Sequence, residues 1–207
     1  MSENLGVASS KVFSANYINP SLLASFMAEF TYELKIPSAR VAVLIGSRGS
    51  TKKEIERETK TSIQIDSKEG DIFIYGEDAL GLYTTREIIT AIGRGFNPEV
   101  ALGLLKPDFS FEQINLADYA KGKNHFLRIK GRVIGTEGKA RELIEELTDT
   151  KISVFGKTIS IIGRIENVNV ARKAVETLIK GSRHASVYKM LEKHRSEIKR
   201  RQFMGEA

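Results

Sequence analysis

The chain has 207 residues, of which 41% are hydrophobic and 28% charged, with no cysteine and three histidines. Without cysteine, neither a disulfide framework nor a Cys/His zinc site can form, and a cytoplasmic setting is expected. No apolar run approaches the roughly 20 residues of a membrane helix, and the N-terminus lacks the order of a secretory signal. The sequence therefore predicts no membrane attachment.

The formal net charge of +6 indicates a polyanionic partner. Nearly all of the excess lies in residues 183–201, where seven basic residues face only Glu192 and Glu197. The seven are Arg183, Lys189, Lys193, Arg195, Lys199, Arg200 and Arg201. A solvated helix face that binds nothing would show the same pattern. The concentration of charge in one segment favours nucleic acid.

Residues 1–28 are polar and aperiodic at first, with a turn signal at Asn19-Pro20 and a short apolar helix predicted at Leu22–Ala28. The stretch FTYELKIP (30–37) alternates as a strand does and ends at Pro37.

A short helix is predicted at Val41–Ile45, followed by a Gly-Ser-Arg-Gly loop and a helix from about Thr51. Thr51 and Glu54 have the spacing of a capping box. Beyond this helix, SIQID and DIFIYG alternate around a polar turn and predict a β-hairpin. The next helix is predicted from about Asp78, with an inward face made of Leu82, Ile89 and Ile92.

This series of elements is repeated. Ile45, Gly46, Gly49 and Ile63 recur 89 residues later as Ile134, Gly135, Gly138 and Ile152. In the second copy HFLRIKG is predicted as the first strand, and a turn of helix at Arg132–Ile134 precedes the loop Gly-Thr-Glu-Gly. A helix, the hairpin KISVF/KTISIIG and a last helix follow, with inward residues Leu143, Ile144, Leu147, Ala171, Val175, Leu178 and Ile179.

The repeat divides the chain into a leader (1–28), a first domain (29–96), a linker (97–123), a second domain (124–182) and a basic C-terminal helix (183–207). Because the linker holds a short predicted helix and strand and several apolar residues, we expect it to pack against the domains and to join them semi-rigidly.

A Gly-x-x-Gly loop that leads into a helix presents backbone N–H groups and the positive helix end with little side-chain bulk, so a phosphodiester chain can approach closely. Apolar residues before each loop and on the adjacent strand would form a floor for bases, although some belong to the core. These are Val43, Leu44, Ile45, Ile63 and Ile65 in the first copy, and Val133, Ile134, Ile152 and Val154 in the second.

The predicted RNA-binding residues comprise both loops, the basic residues around them and part of the two floors. In the first copy they are Ile45, Gly46, Ser47, Arg48, Gly49, Lys52 and Lys53. In the second copy they are Arg132, Val133, Ile134, Gly135, Thr136, Glu137, Gly138, Lys139, Arg141, Ile152 and Val154.

No catalytic, metal or cofactor site is expected. Asp66, Glu69 and Asp71 flank a hairpin turn, where acids are common without a metal. His194 lies between Leu191 and Ile198 at helical spacing, which favours packing or exposure over catalysis. The stretch GTEGKA lacks the spacing and the Ser/Thr of a nucleotide-binding P-loop.

The repeated element order with a Gly-x-x-Gly loop resembles the eukaryotic-type (type I) KH domain, whose loop clamps about four nucleotides of single-stranded nucleic acid. The resemblance covers roughly residues 30–201, and the phrases AIGRGFNPEVALGLL, GRVIGTEGKARELIEELT and HASVYKMLEKHRSEIKRR make it more specific. They are similar to the archaeal two-KH small-subunit assembly factor that is related to the eukaryotic KH partner of the rRNA dimethylase.

The resemblance implies an α+β fold with two tandem KH domains, each a three-stranded sheet packed on three helices, plus the basic C-terminal helix. It also implies a non-catalytic factor that binds pre-ribosomal RNA near the 3′ end of the small-subunit rRNA. The implied protein partners are the endonuclease that trims that end, the dimethylase and the alpha subunit of translation initiation factor two.

The two loops rank differently by resemblance and by charge. In eukaryotic relatives the first domain has lost its Gly-x-x-Gly, which favours the second loop as the principal RNA contact. The first loop is nevertheless the more basic, with Arg48, Lys52 and Lys53, whereas the second contains Glu137. Electrostatics alone would reverse the order.

Two alternative functions remain open. The chain could be an accessory subunit of an rRNA nuclease or methyltransferase whose main surface binds protein, in which case its RNA affinity would be weak. A catalytic nuclease would require a metal-dependent activity that is lost on substitution of Asp66 or Asp71.

Overall fold

The computed structural model describes residues 30–204, except for the side chains of residues 202 and 203. The predicted leader and the predicted helix Leu22–Ala28 lie outside the described residues. The elements of the first half are β1 (Phe30–Lys35), α1 (Ser38–Ile45), α2 (Ser50–Thr59), β2 (Ser62–Ile65), β3 (Asp71–Gly76), α3 (Ala79–Gly93) and α4 (Pro98–Leu102).

The first sheet has the order β1-β3-β2, and both pairs of strands are antiparallel. Ile72 and Ile74 of the central strand are fully buried beneath the helices. The predicted hairpin of β2 and β3 is confirmed. Its turn is closed by Asp66, whose Oδ1 accepts hydrogen bonds from the backbone N–H groups of Lys68 at 2.9 Å and Glu69 at 3.3 Å.

Helix α3 begins as predicted, because the Asp78 carboxylate accepts hydrogen bonds from the N–H groups of Leu80 and Gly81. The predicted inward face of this helix, which includes Leu82 and Ile89, is buried. The predicted capping box on α2 is wrong. Gly49, in the left-handed conformation, occupies the cap position, and no side chain caps the helix.

The second half repeats the element order of the first. Its elements are β4 (Phe109–Asn115), α5 (Lys123–Ile134), α6 (Lys139–Thr148), β5 (Thr150–Phe155), β6 (Thr158–Arg164), α7 (Ile165–Ile179) and α8 (His184–Met204). The second sheet has the antiparallel order β4-β6-β5, which matches the first. The predicted hairpin of β5 and β6 is confirmed, as is the buried face of α7.

The prediction that HFLRIKG is a strand is wrong. This stretch lies inside helix α5, because Phe126, Ile129 and Val133 recur at helical spacing and pack on the second core. The first strand of the second sheet is β4, which pairs with β6 and comes from the predicted linker. We therefore begin the second unit at Phe109 instead of residue 124, and the linker's predicted short helix and strand are α4 and β4.

The two units share a buried boundary. Ile162 of the second sheet belongs to the core of the first unit, together with Phe96 and Leu104. Phe96 meets Phe111 of β4 edge to face, with ring centroids 6.4 Å apart and an interplanar angle of 81°. The Ser153 hydroxyl donates a hydrogen bond of 2.7 Å to the Arg94 carbonyl. These contacts fix the first unit against the outer face of the second sheet.

The predicted basic helix is present as α8 and is part of the second unit. Val187 and Leu191 are each 1% exposed and lie in the second core. Arg195 reaches Glu146 of α6 at 3.5 Å. None of the helices within residues 30–204 is long and apolar enough to cross a membrane.

Replacing Ile162 by Ala tests the boundary between the units. The loss of a 2%-exposed side chain at this boundary should lower the free energy of unfolding by about 2–4 kcal/mol. Urea denaturation followed by circular dichroism measures it. The control is Ile165→Ala, whose side chain is half exposed and should cost about 0.5 kcal/mol or less. A cost for Ile162→Ala as small as that of the control would contradict the packed boundary.

Candidate nucleic-acid interface

Each unit carries a Gly-x-x-Gly loop between its first two helices. The first Gly loop is Gly46–Gly49 and the second Gly loop is Gly135–Gly138. Their backbones have nearly the same shape, with φ of 72° at Gly46 and 74° at Gly135, and 79° at Gly49 and 84° at Gly138. The third residue of each loop is also left-handed although it is not glycine, with φ of 52° at Arg48 and 55° at Glu137. Such a conformation is uncommon for residues with a side chain, and its occurrence in both copies marks a shared local constraint.

The first glycine of each loop is required by close packing. A Cβ at Gly46 would lie 2.8 Å from the Thr51 backbone nitrogen, and a Cβ at Gly135 would lie 2.9 Å from the Ala140 nitrogen. The last glycine is required only by its positive φ, since a Cβ at Gly49 would meet nothing closer than the Lys53 Cε at 3.9 Å. The loop thus folds tightly against the helix that follows and leaves its outer side open.

Helices α2 and α6 begin directly after the loops. No described side chain caps the first turn of either helix. The first N–H groups of a helix have no partner within it, and together with the helix dipole they attract anions. Each loop therefore presents a helix end that favours anions, with little side-chain bulk around it. The N–H of the first helical residue, Ser50 or Lys139, already donates to the Ser47 or Thr136 carbonyl of the loop, which leaves the following N–H groups for a ligand.

The predicted apolar floors divide into core residues and groove residues. Leu44, Ile63, Val133 and Ile152 are at most 3% exposed and belong to the two cores. The partly exposed residues, which can contact a ligand, are Val43, Ile45 and Ile65 in the first unit and Ile134 and Val154 in the second.

Arg132, which we predicted to bind RNA, is engaged inside the protein. Its Nε donates a hydrogen bond of 3.0 Å to the carbonyl of Leu178, and its Nη2 donates to the carbonyl of Ser182. Both carbonyls lie at the end of α7, where a cation is favoured. In the first unit Arg40 binds the end of α3 in the same way, through the carbonyls of Ile92 and Phe96.

In each unit one glutamate, which the sequence did not lead us to predict, joins the helix after the Gly loop to the edge strand. Glu56 Oε1 accepts a hydrogen bond of 2.7 Å from the Ile63 N–H, and Glu145 Oε1 accepts one of 2.8 Å from the Ile152 N–H. The two glutamates are 89 residues apart, so the repeat itself contained the signal. Each also pairs with a predicted RNA contact, Glu56 with Lys52 at 3.6 Å and Glu145 with Arg141 at 3.8 Å.

The charges on the two loops differ. Arg48 and Lys53 of the first unit are exposed and form no ion pair with any residue in the described range. In the second unit the Lys139 ammonium lies 2.8 Å from Glu137, and Arg141 lies 3.8 Å from Glu142. The positive charge near the second Gly loop is thus largely offset by neighbouring acids.

The acids at the first hairpin turn have structural partners. Asp66 closes the turn, and Asp71 lies 3.0 Å from the Lys35 ammonium, a hydrogen bond that raises the pKa of Lys35. Within residues 30–204, no three His, Cys, Asp or Glu side chains are grouped so that they could hold a metal ion.

The architecture of each unit, a three-stranded antiparallel sheet on three helices with a Gly-x-x-Gly loop between the first two, is that of a type I KH domain. Two family models agree. The one described as a eukaryotic-type KH domain (KH-domain type I) matches residues 110–196, and the one described as a KH domain matches residues 31–93. The molecule is therefore a tandem KH protein.

Comparison with known proteins shows to which family of KH proteins the chain belongs. A KH domain-containing protein of Methanocaldococcus jannaschii is 48% identical over 82% of this chain and 76% of its own length. The pre-rRNA-processing protein pno1 of Emericella nidulans is 26% identical over 83% of this chain and 69% of its own length. A chain in the crystal structure of an a/eIF2alpha–aDim2p–rRNA complex from Pyrococcus horikoshii OT3 is 44% identical, with a TM-score of 0.75, over 81% of this chain and 95% of that one. This protein belongs to the archaeal two-KH family of ribosome assembly factors that includes Dim2p and is related to eukaryotic pno1.

Gly46→Ala and Gly49→Ala should differ in stability. Both place a side chain at positive φ, which costs about 1–2 kcal/mol. Only Gly46→Ala also forces a Cβ against backbone, which adds about 1–3 kcal/mol. Thermal unfolding of both variants measures the difference, and equal losses would contradict the close packing of the first glycine.

Arg132→Ala should affect stability more than RNA binding. Two carbonyls at the end of α7 would lose a charged donor, which costs about 2–3 kcal/mol. The RNA dissociation constant, measured where the variant is folded, should change less than about threefold, because the guanidinium faces the protein. Lys139→Ala is the control, since its exposed ion pair is worth about 1 kcal/mol or less. A stable Arg132→Ala variant with weak RNA binding would show that Arg132 is a phosphate ligand after all.

Proposed function

We propose that this protein is a non-catalytic, single-stranded RNA-binding factor in the maturation of the small ribosomal subunit, and that it holds pre-rRNA near its 3′ end in the grooves beside its Gly loops. The observation that carries the proposal is the shared backbone shape of the two loops, each packed against an uncapped helix start. The pno1 relative is named for pre-rRNA processing, and the Pyrococcus horikoshii relative is in a complex with rRNA, which supports the substrate class.

In this mechanism the RNA backbone lies across a Gly loop, where N–H groups of the helix start donate to phosphate oxygens. The bases lie on the partly exposed apolar residues, Ile134 and Val154 in the second unit. No residue among the predicted RNA contacts is aromatic, so the bases are held by apolar contact and hydrogen bonds instead of stacking. Arg48, Lys53 and Lys139 supply charge from the rim.

We assign the principal role to the second Gly loop, on the resemblance to relatives in which only that loop is kept. The first loop, with the exposed Arg48 and Lys53, then adds affinity that depends on salt.

The protein partners follow from the relatives. The alpha subunit of initiation factor two is part of the Pyrococcus horikoshii complex, and we propose it as a partner of this chain. The endonuclease that trims the rRNA 3′ end and the rRNA dimethylase are further proposed partners, on the resemblance alone.

Gly138→Asp is expected to weaken RNA binding by about tenfold or more relative to Gly138→Asn. The two side chains have nearly the same shape and both tolerate a left-handed backbone, so their difference isolates the negative charge beside the phosphate. A Cβ at Gly138 has room, since its nearest neighbour would be Glu142 Oε1 at 3.6 Å. The measurement is fluorescence anisotropy with a labelled single-stranded RNA matching the 3′ end of small-subunit rRNA, at several salt concentrations.

The same pair of substitutions at Gly49 tests the ranking of the loops. A smaller effect at Gly49 than at Gly138 agrees with the assignment, whereas a larger one transfers the principal role to the first loop. If all four variants are folded and bind as the wild type does, RNA does not lie on the Gly loops, and the protein-interaction function becomes the better explanation.

A further inference from the structure

The second Gly loop has the principal role in the proposed function, yet its own charge is poor for that role. Glu137 lies in the loop, and Lys139 and Arg141 lie close to acids. Helix α8, in the same unit, has six basic residues against Glu192 and Glu197. Positive charge is therefore present in the second unit, but on a different helix from the one that follows the loop.

The basic residues of α8 lie on a definite face. Val187 and Leu191 bury one side of the helix in the core. At 3.6 residues per turn, Lys189, Lys193 and Arg200 fall on the side opposite these two. All three are exposed, and Lys193 lies 3.9 Å from Glu197. We call this set the basic stripe. It extends about 16 Å along the helix, given a rise of 1.5 Å per residue.

Helix α8 packs beside α6 and is held at its start by a contact to α5 and near its middle by a contact to α6. Near the second Gly loop, His184 Nε2 donates a hydrogen bond of 2.7 Å to the carbonyl of Arg132. Towards the other end of α6, Arg195 pairs with Glu146. Since His184 begins α8, the helix starts at the end of α5 that leads into the second Gly loop and runs along α6. The basic stripe extends away from that end at a fixed position.

We propose that the basic stripe binds the phosphates of a double-stranded RNA segment that adjoins the single strand held at the second Gly loop. This inference rests on the proposed function. A straight row of cations fixed on a rigid helix suits the regular backbone of a duplex, because no strand has to be ordered to meet it. Between Lys189 and Arg200 the helix has no Phe, Tyr or Trp on which an unpaired base could stack, unlike surfaces that bind single strands. At 3.6 residues per turn His194 falls outside the stripe. The contact is thus to phosphate and independent of base sequence.

The test compares two RNAs and two double variants. One RNA is the single-stranded 3′-end sequence, and the other is the same sequence joined to a hairpin stem. Lys189→Gln/Lys193→Gln removes two charges from the stripe, and Lys121→Gln/Lys173→Gln removes two exposed charges elsewhere. Anisotropy is measured from low to moderate salt, with circular dichroism to confirm folding.

The stripe variant should lose about tenfold or more in affinity for the stem-containing RNA and less than about twofold for the single strand. Two lost phosphate contacts should also reduce the slope of log K against log salt by between one and two. The control variant should change neither RNA by more than about twofold.

Equal losses for both RNAs, or equal losses in both variants, would overturn the inference, because they indicate general attraction instead of a duplex contact. Unchanged binding by the stripe variant would also overturn it. An acidic protein surface would then be the better candidate ligand of the basic stripe. If the wild type bound neither RNA, the proposed function would fail and this inference with it. If the wild type binds the single strand but the stripe variant loses no affinity for the stem-containing RNA, only this inference fails.

Discussion

The close approach between the first glycine of each loop and the helix that follows it is the constraint on which the interface depends. A side chain at Gly46 or Gly135 would overlap the backbone nitrogen of Thr51 or Ala140. Because the loop is folded so tightly, its outer side and the helix end beside it remain open to a ligand. The two loops keep one shape although their middle residues are Ser-Arg in one and Thr-Glu in the other. Function can therefore diverge between the copies through charge alone.

A second constraint fixes the distance between the Gly-loop helix and the edge strand. Glu56 and Glu145 accept hydrogen bonds from the N–H groups of Ile63 and Ile152, and so join the helix that carries the loop to the strand that carries the apolar floor. The basic residues Lys52 and Arg141 lie near these carboxylates. Each basic side chain is paired with a carboxylate of its own helix, so in the proposed function its net charge contributes less to RNA binding.

The sequence predicted the parts of the fold that depend on local pattern. Alternation gave both hairpins, and helical spacing gave the inward faces of α3 and α7. It failed at HFLRIKG, where Phe126, Ile129 and Val133 fit a helix but a strand was expected from symmetry with the first copy. It could not show that Arg132 donates hydrogen bonds within the protein, because the carbonyls that accept them lie 46 and 50 residues away in the chain. The sequence also could not show which residues of the apolar floors are buried in the core and which are exposed in the groove. That division depends on packing between elements that are distant in the chain, and the alternation of a single strand contains no such information.

The two units also differ in the contacts between their third helix and their first strand. The eighth residue of α3, Arg86, lies 5.0 Å from the centre of the Tyr32 ring, whereas its counterpart in α7, Arg172, pairs with Glu112 at 2.8 Å. The outer face of the second sheet is covered by the first unit, through Ile162 and the Ser153 hydrogen bond.

Because this boundary is buried, the two Gly loops cannot reorient independently. Once an RNA strand long enough to reach both loops is bound at the first, its free part would have a high effective concentration at the second. No domain closure would be needed, so binding would not have to order the two units relative to each other. In the proposed function the shared core is thus part of the binding mechanism, because it replaces a flexible tether by a fixed path between the two proposed phosphate sites.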